Sequence, residues 1–199
     1  VSRRQVRRPR VLGLNSLLSE MEPVLRRLLH DGVALTLRLE PALGNVKADQ
    51  AQLEQILMNL VANAREAMPA GGQLVIETAN VEPEAGEAAS RPALASGRQV
   101  ALAVRDTGEG MDAETQAHVF EPFFSTKDLG KGAGLGLASV WGMVRQSGGQ
   151  IFVDSEAGVG TAFTVYLPRV EEAVAAEPPA AAPAAPRRGT ETVLLVEAE

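Results

Sequence analysis

The sequence predicts an α/β sandwich, a mixed sheet with helices packed on one face. Three observations carry that expectation. Helical stretches are expected at 14–30, 49–68 and 134–146, and strand-like segments stand between them at 33–40, 73–80, 99–105, 150–154 and 162–167. The first helix and the first strand show the apolar spacing that each geometry demands. Glycine-bearing stops separate them, at Asp31-Gly32, Pro69-Ala70-Gly71-Gly72, Ser147-Gly148-Gly149 and Gly158-Val159-Gly160.

In chain order, Leu14, Leu17, Leu18, Met21, Val24, Leu25, Leu28 and Leu29 fall on one helical face, and Asn15 is the expected N-cap. Val33, Leu35, Leu37 and Leu39 alternate with polar or small residues, which gives a strand with one buried face. Asp49 opens the second helix, with Gln52 three residues on as its capping-box partner. Two strands follow, separated by a solvated segment rich in Ala, Glu, Pro and Ser. Asp112 caps a short helix to about Val119. Residues 120–133 have no clear period, and from Gly134 a helix runs to Gln146. Two strands joined at Gly158-Val159-Gly160 close the domain.

With 199 residues and 45% hydrophobic composition, the chain is long enough for one well-buried domain and flanking pieces. It has no cysteine, which excludes disulfides and thiolate metal sites. No apolar run is long enough to cross a bilayer, and no signal-peptide pattern opens the chain, so no membrane contact and a cytoplasmic location are expected. The net charge of −6 divides into +5 from Arg3, Arg4, Arg7, Arg8 and Arg10 and −11 in the remainder. An acidic body without a basic stripe is a poor nucleic-acid surface, so the arginines read as a solvated helix end.

Four short blocks carry the chemistry: Asn59-Leu60-Val61-Ala62-Asn63, Asp106-Thr107-Gly108-Glu109-Gly110, Gly132-Ala133-Gly134-Leu135-Gly136-Leu137, and Gly158-Val159-Gly160-Thr161. Each alone is weak, since glycines punctuate turns in every protein. Asn59 and Asn63, four apart on a helix, share a face, either bonding to the sheet or serving a ligand. Asp106 ends a strand, and its carboxylate either closes an Asp-Gly turn or accepts a hydrogen bond from an amine in a pocket. The third block opens a helix, whose outward amides favour anions.

In this order the blocks resemble the N, G1, G2 and G3 boxes of the GHKL ATP-binding superfamily, as found in bacterial sensor histidine kinases. Phe120-Glu121-Pro122-Phe123-Phe124 stands where that family has its F box. The resemblance covers roughly residues 11–168 and implies the two-layer Bergerat fold binding ATP or ADP with Mg2+. It makes Asn63 the Mg2+ ligand, a neutral carbonyl oxygen suited to a hard cation. It puts Asn59 beside the phosphates, in a catalytic role. Hydrolysing relatives carry a glutamate at the Asn59 position as a base for water, which an amide cannot replace. Asp106 would accept from the exocyclic amine of adenine, with Gly108 and Gly110 allowing close approach and Thr161 completing the adenine site. Gly132, Gly134, Leu135, Gly136 and Leu137 would meet the phosphates.

This chain departs from the pattern at Ala133, where the family has a hydroxyl, at Ser125, where many relatives have arginine, and at Glu66, where many have lysine. Lys127 is therefore the first candidate for the γ-phosphate cation, with Lys131 and Arg65 behind it. His30 and His118 lie in no phosphoacceptor motif and read as surface residues.

The resulting domain plan is a dimerisation-helix tail at 1–10, the ATP-binding catalytic domain at 11–168, an Ala/Pro-rich linker at 169–191, and the first strand of a receiver domain at 192–199. In that strand Ala198 stands where receivers usually have a metal-binding aspartate. The implied function is phosphotransfer from ATP to a histidine on a dimerisation domain of a homodimeric parent, the start of a two-component phosphorelay. A regulatory ATP-binding module without phosphotransfer, supported by Ala133 and Ala198, is the alternative.

Overall fold

The structure is a computed structural model that describes residues 9–82, 97–125 and 134–174. The predicted roles of Lys127, Lys131, Gly132, Ala133 and Ala198, and the terminal strand at 192–199, lie outside the described residues. The elements are β1 (Arg10–Leu12), α1 (Leu14–Leu28), β2 (Val33–Arg38), β3 (Asn45–Ala48), α2 (Gln50–Ala67), β4 (Gly72–Val81), β5 (Gln99–Asp106), α3 (Ala113–His118), α4 (Gly136–Gln146), β6 (Gln150–Glu156) and β7 (Gly160–Val170). The strands form one seven-stranded sheet, in the order β1-β3-β7-β5-β4-β2, with β6 also on β7. Only β2 and β4 run parallel, so the sheet is mixed as predicted.

The helices bury their apolar stripes on one face. Leu14, Leu18 and Leu25 of α1, Ile56, Leu57 and Leu60 of α2, and Val140 and Val144 of α4 meet Leu74 and Ile76 of β4, Val100, Leu102 and Val104 of β5, and Val165 of β7, all fully or almost fully buried. The period of two along the strands and of 3.6 along the helices thus converge on a single core. The other face carries a small cluster, in which Phe152 and Tyr166 meet edge to face at 5.7 Å around Ala101.

Two strands were not predicted. β1 and β3 pair antiparallel with each other, and β3 pairs with the end of β7, which runs to Val170 and past its expected end at Leu167. With three and four residues, β1 and β3 are too short to show a period of their own.

Asn15 is also not the N-cap of α1; that position is Gly13. Inside the first turn, Asn15 donates from Nδ2 to the Glu40 carbonyl at 2.8 Å and accepts from the Thr78 hydroxyl at 2.9 Å. A local capping signal is overridden here by a tertiary contact that satisfies a buried Thr78.

Asp49 does cap α2, its Oδ1 accepting from the Gln52 amide at 3.3 Å. The Gln52 side chain, however, reaches Gln146 of α4 instead of turning back to complete the box. Asp49→Ala is expected to lower stability by about 1 kcal/mol, readable as a lower urea midpoint. No helix among the described residues is long and apolar enough to cross a membrane.

Candidate functional site

α2, the β5 terminus and the start of β7 enclose a cleft of about 550 Å³, closed further by α3 and by the segments on either side of 126–133. Of the predicted site residues, Asn63, Asp106, Gly110, Gly134, Leu135, Gly136, Leu137 and Thr161 line it. Residues from all four blocks are thereby brought together.

Asp106 sits at the floor, only 8% exposed. Its Oδ1 accepts from the Gly108 amide at 2.9 Å and from the Thr161 amide at 3.3 Å. Among the described residues nothing bonds its second oxygen, which is left for a donor in the cleft. Burial raises the Asp106 pKa above the ordinary carboxylate range, and the two amide bonds only partly offset that.

The glycines around it are required by close approach. A Cβ on Gly108 would lie 2.5 Å from the Ala67 carbonyl oxygen of α2. Gly110, at φ +65°, and Gly160, at φ +139°, face the carbonyls of Glu156 and Asp106 so closely that no side chain fits. The turn after Asp106 is also pinned from outside, by the Glu109 amide to the Ala67 carbonyl at 3.0 Å and the Gly158 amide to the Glu109 carbonyl at 2.6 Å.

Asn63 and Asn59 do share a face of α2, but they divide its work. Asn63 lines the cleft, and its Nδ2 is buried with no hydrogen-bond partner among the described residues. An unpartnered buried amide is costly unless a ligand meets it, and an amide flip presents the carbonyl oxygen to the same place. Asn59 lies outside the lining. It accepts from Gln55 at 3.2 Å and donates to the Gly136 carbonyl at 3.4 Å, tying α2 to the start of α4. Gly108 is likewise buried behind the wall instead of lining it.

α4 begins at Gly136, two residues after the expected Gly134. Gly134, at φ +62°, packs against the Phe123–Phe124 backbone, and its carbonyl accepts from the Phe123 amide at 3.0 Å. Of the three phenylalanines, Phe120 packs edge to face on Phe163, Phe124 lines the cleft beside His118, and Phe123 is 76% exposed at φ +67°.

The described lining contains the acids Glu66, Asp106 and Glu109 and no basic residue. Arg65 is turned away, donating to the Leu28 carbonyl at 3.3 Å, so it is withdrawn as a phosphate contact. The two histidines have surface roles: His30 contacts the Met68 carbonyl, and His118 pairs with Glu121 at 2.8 Å.

Sequence reasoning missed Met111, Thr115, Val119 and Phe163 in the lining, and Gln116 and Ser155 behind it. None carries a local signal, because each is placed by the folding of α3, β6 and β7 against β5 and the turn that follows it.

A family model described as "Histidine kinase-, DNA gyrase B-, and HSP90-like ATPase" matches residues 48–171. The chain is 43% identical over 205 residues to the sensor kinase CckA of Brucella abortus, an alignment covering 100% of this chain and 22% of CckA. It is 35% identical over 162 residues to the sensor protein DivL of Caulobacter vibrioides, covering 81% of this chain and 19% of DivL. The chain therefore spans about a fifth of the length of these relatives. Among solved structures, full-length ShkA in complex with AMPPNP superposes with a TM-score of 0.67 at 26% identity, over 85% of this chain and 32% of ShkA. The mycobacterial sensor histidine kinase MprB shares the fold, with a TM-score of 0.63 at 24% identity over 81% of this chain and 98% of that one.

Proposed function

Because the chain belongs to the family of histidine kinase-, DNA gyrase B- and HSP90-like ATPases, we propose that its cleft binds ATP and that the domain is the catalytic module of a sensor histidine kinase. The observation that carries this is Asp106. Its carboxylate is buried, oriented through Oδ1 by two backbone amides, and open at the other oxygen toward the cleft. An acceptor fixed in that way selects a purine bearing an exocyclic amine and leaves guanine, with a carbonyl there, unpaired. Thr161 stands directly opposite Asp106 and completes the base end of the site. Gly134, Leu135, Gly136 and Leu137 line the same cleft, and the first amides of α4 there favour phosphate.

A triphosphate in a cleft whose described lining is acidic calls for a cation. With its amide turned so that the carbonyl oxygen takes the unpartnered position of Nδ2, Asn63 fits a divalent ion of the Mg2+ type, which takes oxygen ligands and keeps waters and phosphates as the rest of its shell. When bound, that ion supplies charge neutralisation of the phosphates. Lys127 remains the proposed second cation.

Asn59 favours transfer over hydrolysis. Both ends of its amide are occupied, and an amide does not take a proton from water at neutral pH. The proposed acceptor is a histidine on a dimerisation domain of a homodimeric parent, with a receiver domain downstream.

Incubated with γ-labelled ATP, this chain is expected to release phosphate only slowly and to hold no acid-labile label of its own. A dimerisation domain added in trans is expected to be labelled slowly, since the effective concentration of a tether is lost. Brisk phosphate release abolished by changing Asn59 would turn the reading toward a hydrolase. A stable label on His30 or His118 would overturn the roles given to those residues.

A further inference from the structure

Ser155, Thr161 and Asp106 are directly opposed residues on the neighbouring strands β6, β7 and β5. Residues directly opposite one another share a face, so the three form a row ending in the cleft. The hydrogen bonds along that row have a fixed direction. A serine hydroxyl has one proton and two lone pairs. Ser155 Oγ lies 2.9 Å from the Gly160 carbonyl oxygen, which can only accept, so the serine proton belongs there. It lies 2.9 Å from the Met111 amide, which can only donate, so one lone pair is taken. The remaining contact, 2.8 Å to Thr161 Oγ1, is left with a serine lone pair, and Thr161 must be the donor.

The arrangement is held from behind by Gln116. Its Nε2 donates to the Met111 carbonyl at 3.1 Å and the Ser155 carbonyl at 2.8 Å, while its Oε1 accepts from the Ser155 amide at 3.2 Å. All three bonds agree with one amide orientation, so neither Gln116 nor Ser155 can turn over without losing partners.

We propose that Ser155 is a positioning residue that spends the Thr161 proton inside the protein and so makes the Thr161 hydroxyl a pure acceptor toward the cleft. Asp106 and Thr161 then present two acceptors, side by side, to the two hydrogens of one amino group, directly or through a water. A 6-amino purine matches this pair, and a 6-oxo purine faces two lone-pair donors with a lone pair of its own. The inference rests on the reading that the cleft takes a purine nucleotide with its base at Asp106. It adds that discrimination at the purine 6-position is set partly by a serine that does not touch the base.

The test compares binding of ATP and inosine triphosphate, with Mg2+, to the whole chain by calorimetry. Wild type is expected to prefer ATP. In Ser155→Ala the Thr161 proton is freed to point outward, and the preference is expected to narrow by roughly fivefold to tenfold, the worth of one ordinary hydrogen bond. Ser155→Thr, which keeps the hydroxyl, is expected to restore it. In a Thr161→Val background, Ser155→Ala is expected to leave the preference unmoved, because the group whose direction it sets is gone. If Ser155→Ala weakens both nucleotides equally, or moves the preference as much without Thr161 as with it, Ser155 is only packing and the inference fails. If wild type binds neither purine, the nucleotide reading of the cleft fails first.

Discussion

Asp106→Asn is expected to weaken ATP binding by tenfold to a hundredfold, about 1.5–3 kcal/mol, while the nucleotide-free protein melts at no lower a temperature. The two halves have one cause. The variant keeps an oxygen for the Gly108 and Thr161 amides and puts an NH2 group where the free carboxylate oxygen stood. A donor then faces the amino group of the base. The free fold, meanwhile, loses a desolvated charge, because burial raises the Asp106 pKa in the folded protein.

The sign follows from linkage. The folded state holds this proton more tightly than the unfolded state, so the ionised carboxylate opposes folding above the folded pKa, and that cost is relieved as pH falls through it. The stability difference between variant and wild type should therefore shrink with falling pH. ATP affinity should fall over the same window in wild type, since a protonated carboxyl is no longer a full acceptor, and should stay flat in the variant. Asn63→Ala should weaken the triphosphate and reduce its Mg2+ dependence. Calorimetry showing unchanged ATP binding in both variants would remove this cleft as the nucleotide site.

Gly110→Ala is expected to be the most damaging single methyl in the domain. The residue holds φ +65°, which costs a side-chain-bearing residue about 1–2 kcal/mol. The added Cβ also runs into the Glu156 carbonyl. That carbonyl cannot retreat, because β6 is paired to β7 from Gln150 to Glu156 and the Glu109 carbonyl is bonded back to the Gly158 amide. Overpacking of this kind adds about 1–3 kcal/mol, for a total loss of about 2–5 kcal/mol.

The urea midpoint should drop accordingly, and ATP affinity should fall with it as the turn after Asp106 is pushed off the β6–β7 hairpin. Gly142→Ala is the control. It meets nothing within 4 Å in α4, so it should raise stability by about 0.5–1 kcal/mol. A Gly110→Ala protein as stable as wild type would mean that this turn is not held as described.

The sequence by itself determined the features whose signal is local. Apolar spacing fixed the buried faces of α1, except for Val24, which is exposed, and of β2, Asp49 announced the start of α2, and Asp106 marked the end of β5. The order of the four blocks was enough to name the family: three of them carry glycine at a positive φ, at Gly110, at Gly134, and at Gly158 and Gly160, an angle that side-chain-bearing residues rarely take, and the first carries the Asn59 and Asn63 pair. Tertiary structure decided what depends on pairing between distant strands and helices. It made strands of Arg10–Leu12 and Asn45–Ala48, which have no period long enough to read. It drew Asn15 away from its cap to Glu40 and Thr78, and Arg65 away from the cleft to Leu28. It put Asn63 in the cleft wall and left Asn59 bracing α4, although one turn of helix offers both the same face. The row from Ser155 through Thr161 to Asp106 belongs wholly to this second class. Its direction is set by which oxygen can only accept and which nitrogen can only donate, and those partners meet only when β5, β6 and β7 are in register.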